Sequence, residues 1–148
     1  MNLTVYLAGQ IHDPWRDELI EKAHSKDLPL TFVSPMTNHS RSDAIGEEIS
    51  GEQPTKIMKD DKASEFNNLR TEVLMAKSDV VIAYFGESYK QWNTAMDAST
   101  ALAKNKPLIL IRDESLHHAL KELSNKATAT VENFDQAIKA LSYVFETE

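Results

Sequence analysis

Short apolar runs alternate along this chain with stretches whose apolar residues recur every three or four positions. Leu3 to Ala8 is β-rich and stops at Gly9, which predicts a strand followed by a turn. Asp13-Pro14-Trp15 then reads as a helix start, with Asp13 as N-cap, Pro14 at the first helical position, and Trp15, Leu19, Ile20 and Ala23 at helical spacing. A second strand is expected at Leu28 to Val33, ended by Ser34-Pro35. Thr37 to Lys59 is polar, carries Gly46, Gly51 and Pro54, and shows no sustained period, so a long loop is expected there. Loops of that length in a compact domain tend to be functional or mobile, and this one is expected to cover a site as a lid. Helical spacing returns at Asp60 to Lys77 through Phe66, Leu69, Val73, Leu74 and Ala76.

Ser78-Asp79 leads into a third strand at Val80 to Tyr84, with Asp79 read as a structural cap. Thr94 to Asn105 is the next expected helix and Pro107 to Ile111 the fourth strand. A short helix at Leu116 to Leu123 and a fifth strand at Ala127 to Val131 follow, and Asn133 caps a closing helix through Phe134, Ala137, Ile138, Leu141 and Val144. Alternating strands and helices imply right-handed crossovers. The expected fold is therefore an α/β, flavodoxin-like or Rossmann-like three-layer sandwich, whose five parallel strands run in the order 2-1-3-4-5. The switch point of that order falls between the first and third strands, and the loops after the strand ends should form the binding crevice.

Composition narrows the possible functions. At 148 residues, 41% hydrophobic and 26% charged, the chain is expected to form one domain with a sizeable core. A net charge of −7 argues against nucleic-acid polymers and anionic membranes, which need a basic surface. With no cysteine, disulfides, thiolate nucleophiles and thiolate metal sites are excluded. No signal-like start and no membrane-length apolar run is present, so a soluble, cytoplasmic protein is expected.

The crevice would draw on Gly9, Gln10, His12 and Asp13 after the first strand, and on Gly86, Glu87, Tyr89, Gln91 and Asn93 after the third. The segment after the second strand adds Asn38, His39, Ser40, Arg41, Ser42 and Asp43. This set is rich in hydrogen-bonding groups and lacks the glycine loops that cradle phosphates: neither GxGxxG nor GxxxxGK[ST] occurs. His12, His39, His117 and His118 show no metal-ligand spacing. No metal or organic cofactor is expected.

Three segments carry a resemblance. Tyr6-Leu7-Ala8-Gly9 looks like the strand-to-turn start of the nucleoside 2-deoxyribosyltransferase family, and Asp79-Val80-Val81-Ile82-Ala83 resembles its third strand. Asn93-Thr94-Ala95-Met96-Asp97-Ala98-Ser99 resembles its Gly-Thr-Ala-Phe-Glu-x-Gly motif, and Tyr89 to Ser99 is similar to the pattern of its YtoQ branch. The resemblance spans essentially the whole chain. It implies that Asp97 stands where the family has a nucleophilic Glu, attacking the anomeric carbon as a retaining glycosidase does. It also implies that Tyr6 orients that carboxylate. Two family acids are replaced, one by Thr71 and one by Gln91.

The same residues have plainer readings. A carboxylate in a helix's first turn serves the macrodipole, worth about 0.3–1 kcal/mol. A helical wheel places Ala95, Met96, Ser99, Leu102 and Ala103 on the buried face and turns Asp97 outward with Lys104. Trp92 can anchor packing or stack on a base. Asn93 is the better N-cap candidate beside Gln91. Arg70 can bind a ligand anion or pair on a solvated face with Glu72 or Asp60-Asp61, and Ser40-Arg41-Ser42 is a possible phosphate cradle.

The expected function is processing of a nucleoside or nucleotide N-glycoside, with Asp97 and Tyr6 catalytic and Gly9, Gln10, Gln91, Trp92, Asn93 and Arg70 binding substrate. An N-glycoside hydrolase is the alternative within enzymes, and a non-catalytic nucleotide-binding or nucleotide-sensing module the alternative of another class. The resemblance further implies a homo-oligomer, a dimer or a tetramer, with Met75 and Met96 as exposed contact residues.

Overall fold

The computed structural model describes residues 1–88 and 90–147. Five parallel strands form its sheet: β1 (Leu3–Ala8), β2 (Leu30–Val33), β3 (Val80–Phe85), β4 (Leu108–Arg112) and β5 (Ala129–Val131). Their order is β2-β1-β3-β4-β5, as the alternation implied. β1 is an interior strand, pairing Tyr6 with Val33 of β2 on one side and with Val81 of β3 on the other. Such buried strands read as near-continuous apolar runs, because helices cover both faces.

The alternation of side chains along the strands sorts the core into two layers. Val5, Leu7, Val80, Ile82, Ile109 and Ile111 point to one face. There they pack against Trp15, Leu19 and Ala23 of α1 (Trp15–His24) and Ala137, Ile138 and Leu141 of α6 (Phe134–Val144). Tyr6, Ala8, Val81, Ala83, Leu108 and Leu110 point to the other face. They meet Met75 of α3 (Lys56–Ala76) and Ala98 and Ala101 of α4 (Trp92–Ala103), with α5 (Lys121–Lys126) alongside through Leu123. Asn133 caps α6 as expected, its side chain accepting from the Gln136 N–H.

The expected long loop is largely a helix. α2 (His39–Ser50) fills most of it, with Asn38 as N-cap accepting from the Arg41 N–H. Its composition concealed it: only Ala44, Ile45 and Ile49 are apolar, and the residue that α2 buries is Gly46. A Cβ on Gly46 would lie 2.4 Å from the Ala63 backbone nitrogen, so α2 and α3 touch backbone to backbone. α3 starts earlier than its period implied, at Lys56, where the Thr55 side chain accepts from the Met58 N–H.

Smaller boundaries also move. Helix α1 opens one residue later than expected, and the Asp13 carboxylate accepts from the Trp15 N–H. In place of a helix over Leu116 to Leu123 stand a single 3-10 turn at Glu114–Leu116 and the later α5. Met75, expected at a contact surface, is 1% exposed and lies in the core. Asp79 ties strands together: its carboxylate accepts from the Thr4 N–H while its own N–H donates to the Thr4 carbonyl. Among the described residues no helix is long and apolar enough to cross a membrane.

Candidate active site

The order of the sheet puts the C-terminal ends of β1 and β3 side by side at the switch point. A cavity of about 770 Å³ opens there, within the range of about 300–1,000 Å³ usual for small-molecule sites. Its floor is Asp97, 8% exposed.

Two expectations for this residue are overturned. Helix α4 begins at Trp92, not Thr94, so Asp97 stands in the second turn, beyond the range of simple capping. The buried face of α4 carries Thr94, Asp97, Ala98 and Ala101, while Met96 is 52% exposed. The wheel placed large apolar residues inward, but the contact with β1 and β3 is close and takes alanines. That rotates Asp97 into the site.

Among the described residues, no hydrogen bond reaches the Asp97 carboxylate. Burial pushes its pKa up from 3.8 to about 6, and the Arg16 guanidinium pulls against that rise. Arg16, on α1, is itself 7% exposed. Its Nη1 donates to the Gln10 carbonyl at 2.8 Å, and its Nη2 donates to the Leu7 and Gly9 carbonyls, each at 3.0 Å. Burial lowers its pKa to about 10, while Tyr6, Asp13 and Asp97 favour the cation. The Trp15 indole N–H also donates to the Gln10 carbonyl, at 2.9 Å. Trp15 and Arg16 thus pin the β1–α1 turn, whose Gly9, Gln10, Ile11 and His12 line the cavity. Gly9 is required by this packing: a Cβ there would lie 2.4 Å from a ring carbon of Trp15.

Tyr6 is wholly buried next to this floor. Its hydroxyl donates to Thr71 Oγ1 on α3, at 3.5 Å, rather than to Asp97 as the resemblance implied. Burial raises its pKa above the usual tyrosine value, the Asp97 charge raises it further, and Thr71, Arg16 and Arg70 pull it down.

The residues expected to bind substrate divide. Gly9, Gln10, Gln91, Trp92 and Asn93 all line the cavity. Gln91 precedes α4, its Nε2 donating to the Gly86 carbonyl at 2.9 Å and its Oε1 accepting from the Thr94 hydroxyl at 3.3 Å. Asn93 is therefore the second helical residue and not the N-cap, because the helix starts two residues earlier than expected, with Gln91 at the N-cap position. Trp92 is 75% exposed at the rim, with Lys90 Nζ 5.2 Å from its ring centre. Arg70 is exposed on α3 and is not among the residues that line the cavity. In the proposed phosphate cradle, Arg41 is paired with Glu48 and only Ser42 lines the cavity. Tyr89 of the motif lies outside the described residues.

Sequence reasoning missed Arg16 as part of the site. Its signal was present: Arg16, Ile20 and Ala23 follow helical spacing, so a cation stands on an apolar face. It placed His39, Ser42 and Asp43 at the crevice but gave no role there to α3, which adds Asp60, Ser64 and Asn67 to the far wall.

A family model described as "Nucleoside 2-deoxyribosyltransferase YtoQ" matches residues 6–145. The chain belongs to that family. Across all 148 residues, and the whole of the relative, it is 70% identical to "Uncharacterized protein YtoQ" of Bacillus subtilis (strain 168). Two solved structures share the fold. A conserved protein from Enterococcus faecalis V583 superposes with a TM-score of 0.63 at 14% identity, covering 98% of this chain and 100% of that one. A 2-deoxyribosyltransferase from Bacillus psychrosaccharolyticus gives a TM-score of 0.55 at 16% identity, covering 93% and 95%. The YtoQ-family chain thus has the same general architecture as deoxyribosyltransferase structures, and its Asp97 lies within the matched span. In this YtoQ-family member, Thr71 and Gln91 both line the cavity but have their polar groups engaged, Thr71 by Tyr6 and Gln91 by Gly86 and Thr94.

Proposed function

We propose that this protein cleaves the N-glycosidic bond of a nucleoside or nucleotide, with Asp97 as the nucleophile on the anomeric carbon. The observation that carries the reading is the Asp97 carboxylate on the floor of a polar switch-point cavity, with no hydrogen bond spent on it among the described residues. A structural carboxylate buried to this degree is ordinarily hydrogen-bonded or ion-paired, because uncompensated burial is costly. A nucleophile must instead keep its oxygens available, and a raised pKa makes the carboxylate more basic while leaving it mostly ionised at neutral pH. Arg16 supports the charge from behind without occupying it.

On this reading Gly9, Gln10, Gln91 and Asn93 meet the sugar or base, and Trp92 closes over the base from the rim. Tyr6 holds the floor. Its bond to Thr71 is long enough to be exchanged for one to Asp97 as the carboxylate changes partner. The membership of the family and the shared fold support the class of chemistry.

Hydrolysis is the second reading. Thr71 replaces a family acid, which favours water over a base as the acceptor. Incubation with 2′-deoxynucleosides and their monophosphates, with and without a free acceptor base, separates the outcomes. Base exchange marks a transferase and free deoxyribose a hydrolase. Binding without turnover would leave a sensing module and sink the catalytic reading.

We read the assembly as homo-oligomeric. Leu69 and Val73, one helical turn apart on α3, are 58% and 47% exposed, and Met96 and Trp92 add apolar surface on α4. Exposed apolar groups beside a cavity mark an interaction surface, and closed two-fold contacts are the commonest way to cover one.

A further inference from the structure

Breaking an N-glycosidic bond sends an electron pair onto a nitrogen of the departing base. A neutral base leaves only if that nitrogen gains a proton, so Asp97 needs an acid elsewhere in the cavity. The two family acids are absent, and the groups that replace them, the Thr71 hydroxyl and the Gln91 amide, are not acids near neutral pH and are already hydrogen-bonded.

The far wall supplies titratable side chains. Asn38 starts α2 at His39, so His39 and Asp43 stand one turn apart and on one face. His39 Nε2 lies 3.2 Å from the Asp43 carboxylate, and the His12 ring, from the β1–α1 turn, has its centre 5.6 Å from that of His39. All three residues line the same cavity as Asp97. The other ionisable groups facing it are Asp60 on α3 and Lys90 from the turn before α4. Histidine is the side chain whose ordinary titration lies nearest neutrality, and a hydrogen-bonded carboxylate partner orients its ring.

We propose that His39, held by Asp43, is the general acid and base of this site, standing across the cavity from the nucleophile. The inference rests on the N-glycoside reading above. In the first half-reaction an Asp97 oxygen bonds to the anomeric carbon as the carbon–nitrogen bond breaks. The electron pair goes to the base nitrogen, and the His39 imidazolium gives the base its proton and becomes neutral imidazole. In the second half-reaction the imidazole takes a proton from the incoming base or water as that group bonds to the anomeric carbon. The Asp97–carbon bond breaks and the carboxylate is regenerated, with protons and charge balanced over the cycle.

The test compares a purine 2′-deoxynucleoside with its N7-methylated cation, whose base departs without needing a proton. His39→Gln should lose about a hundredfold or more in kcat on the first substrate, the usual scale of general acid catalysis. On the methylated substrate it should stay within a few-fold of the wild-type protein. Asp43→Asn, which frees the His39 ring to turn, should lower kcat on the unmethylated substrate alone, by less than His39→Gln does. Equal losses on both substrates in folded His39→Gln protein would reduce the pair to a wall contact and overturn the inference. No loss on either would overturn it as well. If the wild-type protein cleaves neither substrate, the N-glycoside reading fails and takes this inference with it, an outcome distinct from the other two.

Discussion

Arg16 and Asp97 are opposite charges buried on helices that cover opposite faces of the sheet, α1 and α4, and each acts on the other's titration without forming an ion pair among the described residues. The guanidinium holds down the pKa of Asp97, and the carboxylate favours the Arg16 cation, which burial opposes. Arg16 spends its donors on the carbonyls of Leu7, Gly9 and Gln10, so its charge reaches the carboxylate through space. A salt bridge would occupy the oxygens that attack requires. At a distance, the cation keeps them open and still limits the cost of burying them.

Removing the carboxylate should trade activity for stability. Asp97→Asn is expected to lower kcat by several orders of magnitude, as for loss of a covalent nucleophile. It should also stabilise the fold at neutral pH. With the folded pKa raised from 3.8 to about 6, the native state keeps a proton that the unfolded chain has lost. Stability therefore falls as pH rises from about 4 to about 6, by at most about 3 kcal/mol for a shift of this size. Thermal unfolding should show Asp97→Asn more stable than the parent at pH 7 and equal to it near pH 3. A less stable variant at pH 7 would mean that the carboxylate is paired in solution.

The acid limb of kcat/KM should lie near pH 6, where Asp97 ionises. Arg16→Met removes the nearby cation, so the limb should move to higher pH. The turn held by the three Arg16 hydrogen bonds should loosen as well, raising KM. A limb that stays in place in a folded Arg16→Met variant would show that Arg16 acts only on the turn.

Tyr6→Phe should cost little stability, about 1 kcal/mol or less, because the bond to Thr71 is long and the ring stays in the core. If the hydroxyl re-pairs with Asp97 during the reaction, kcat falls while substrate binding holds. Titration calorimetry beside steady-state kinetics would separate these effects. Equal loss in both would assign Tyr6 to binding.

Gly46→Ala should destabilise by about 1–3 kcal/mol, since the added methyl meets α3 backbone that cannot yield without moving the helix. Because α2 carries His39, Ser42 and Asp43 on the cavity wall, affinity should fall with stability. Chemical denaturation with a binding titration checks both. An unchanged midpoint would show that α2 stands farther from α3 in solution.

Sedimentation at micromolar concentration should show a dimer or a dimer of dimers, and Leu69→Glu with Met96→Glu should shift it toward monomer. A parent protein that sediments as monomer would remove the oligomer.

The sheet order was legible in the chain because its strands are continuous apolar runs separated by helical periods, and few topologies satisfy right-handed crossovers. The family was legible in Tyr6-Leu7-Ala8-Gly9 and in Asn93 to Ser99. What the chain concealed were elements held by backbone contact rather than by apolar stripes. α2 packs through Gly46 and carries only three apolar residues, Ala44, Ile45 and Ile49, so it read as a loop. Asp97 read as outward because a wheel ranks residues by hydrophobicity, whereas closeness to the strands selected Ala98 and Ala101 and drew the carboxylate in with them. The link from Arg16 to Asp97 spans 81 positions of sequence and exists only once β1 and β3 lie side by side. Local pattern fixes which elements form, but the environment of a charge is set by atoms distant in the chain, and that was decided by the tertiary structure alone.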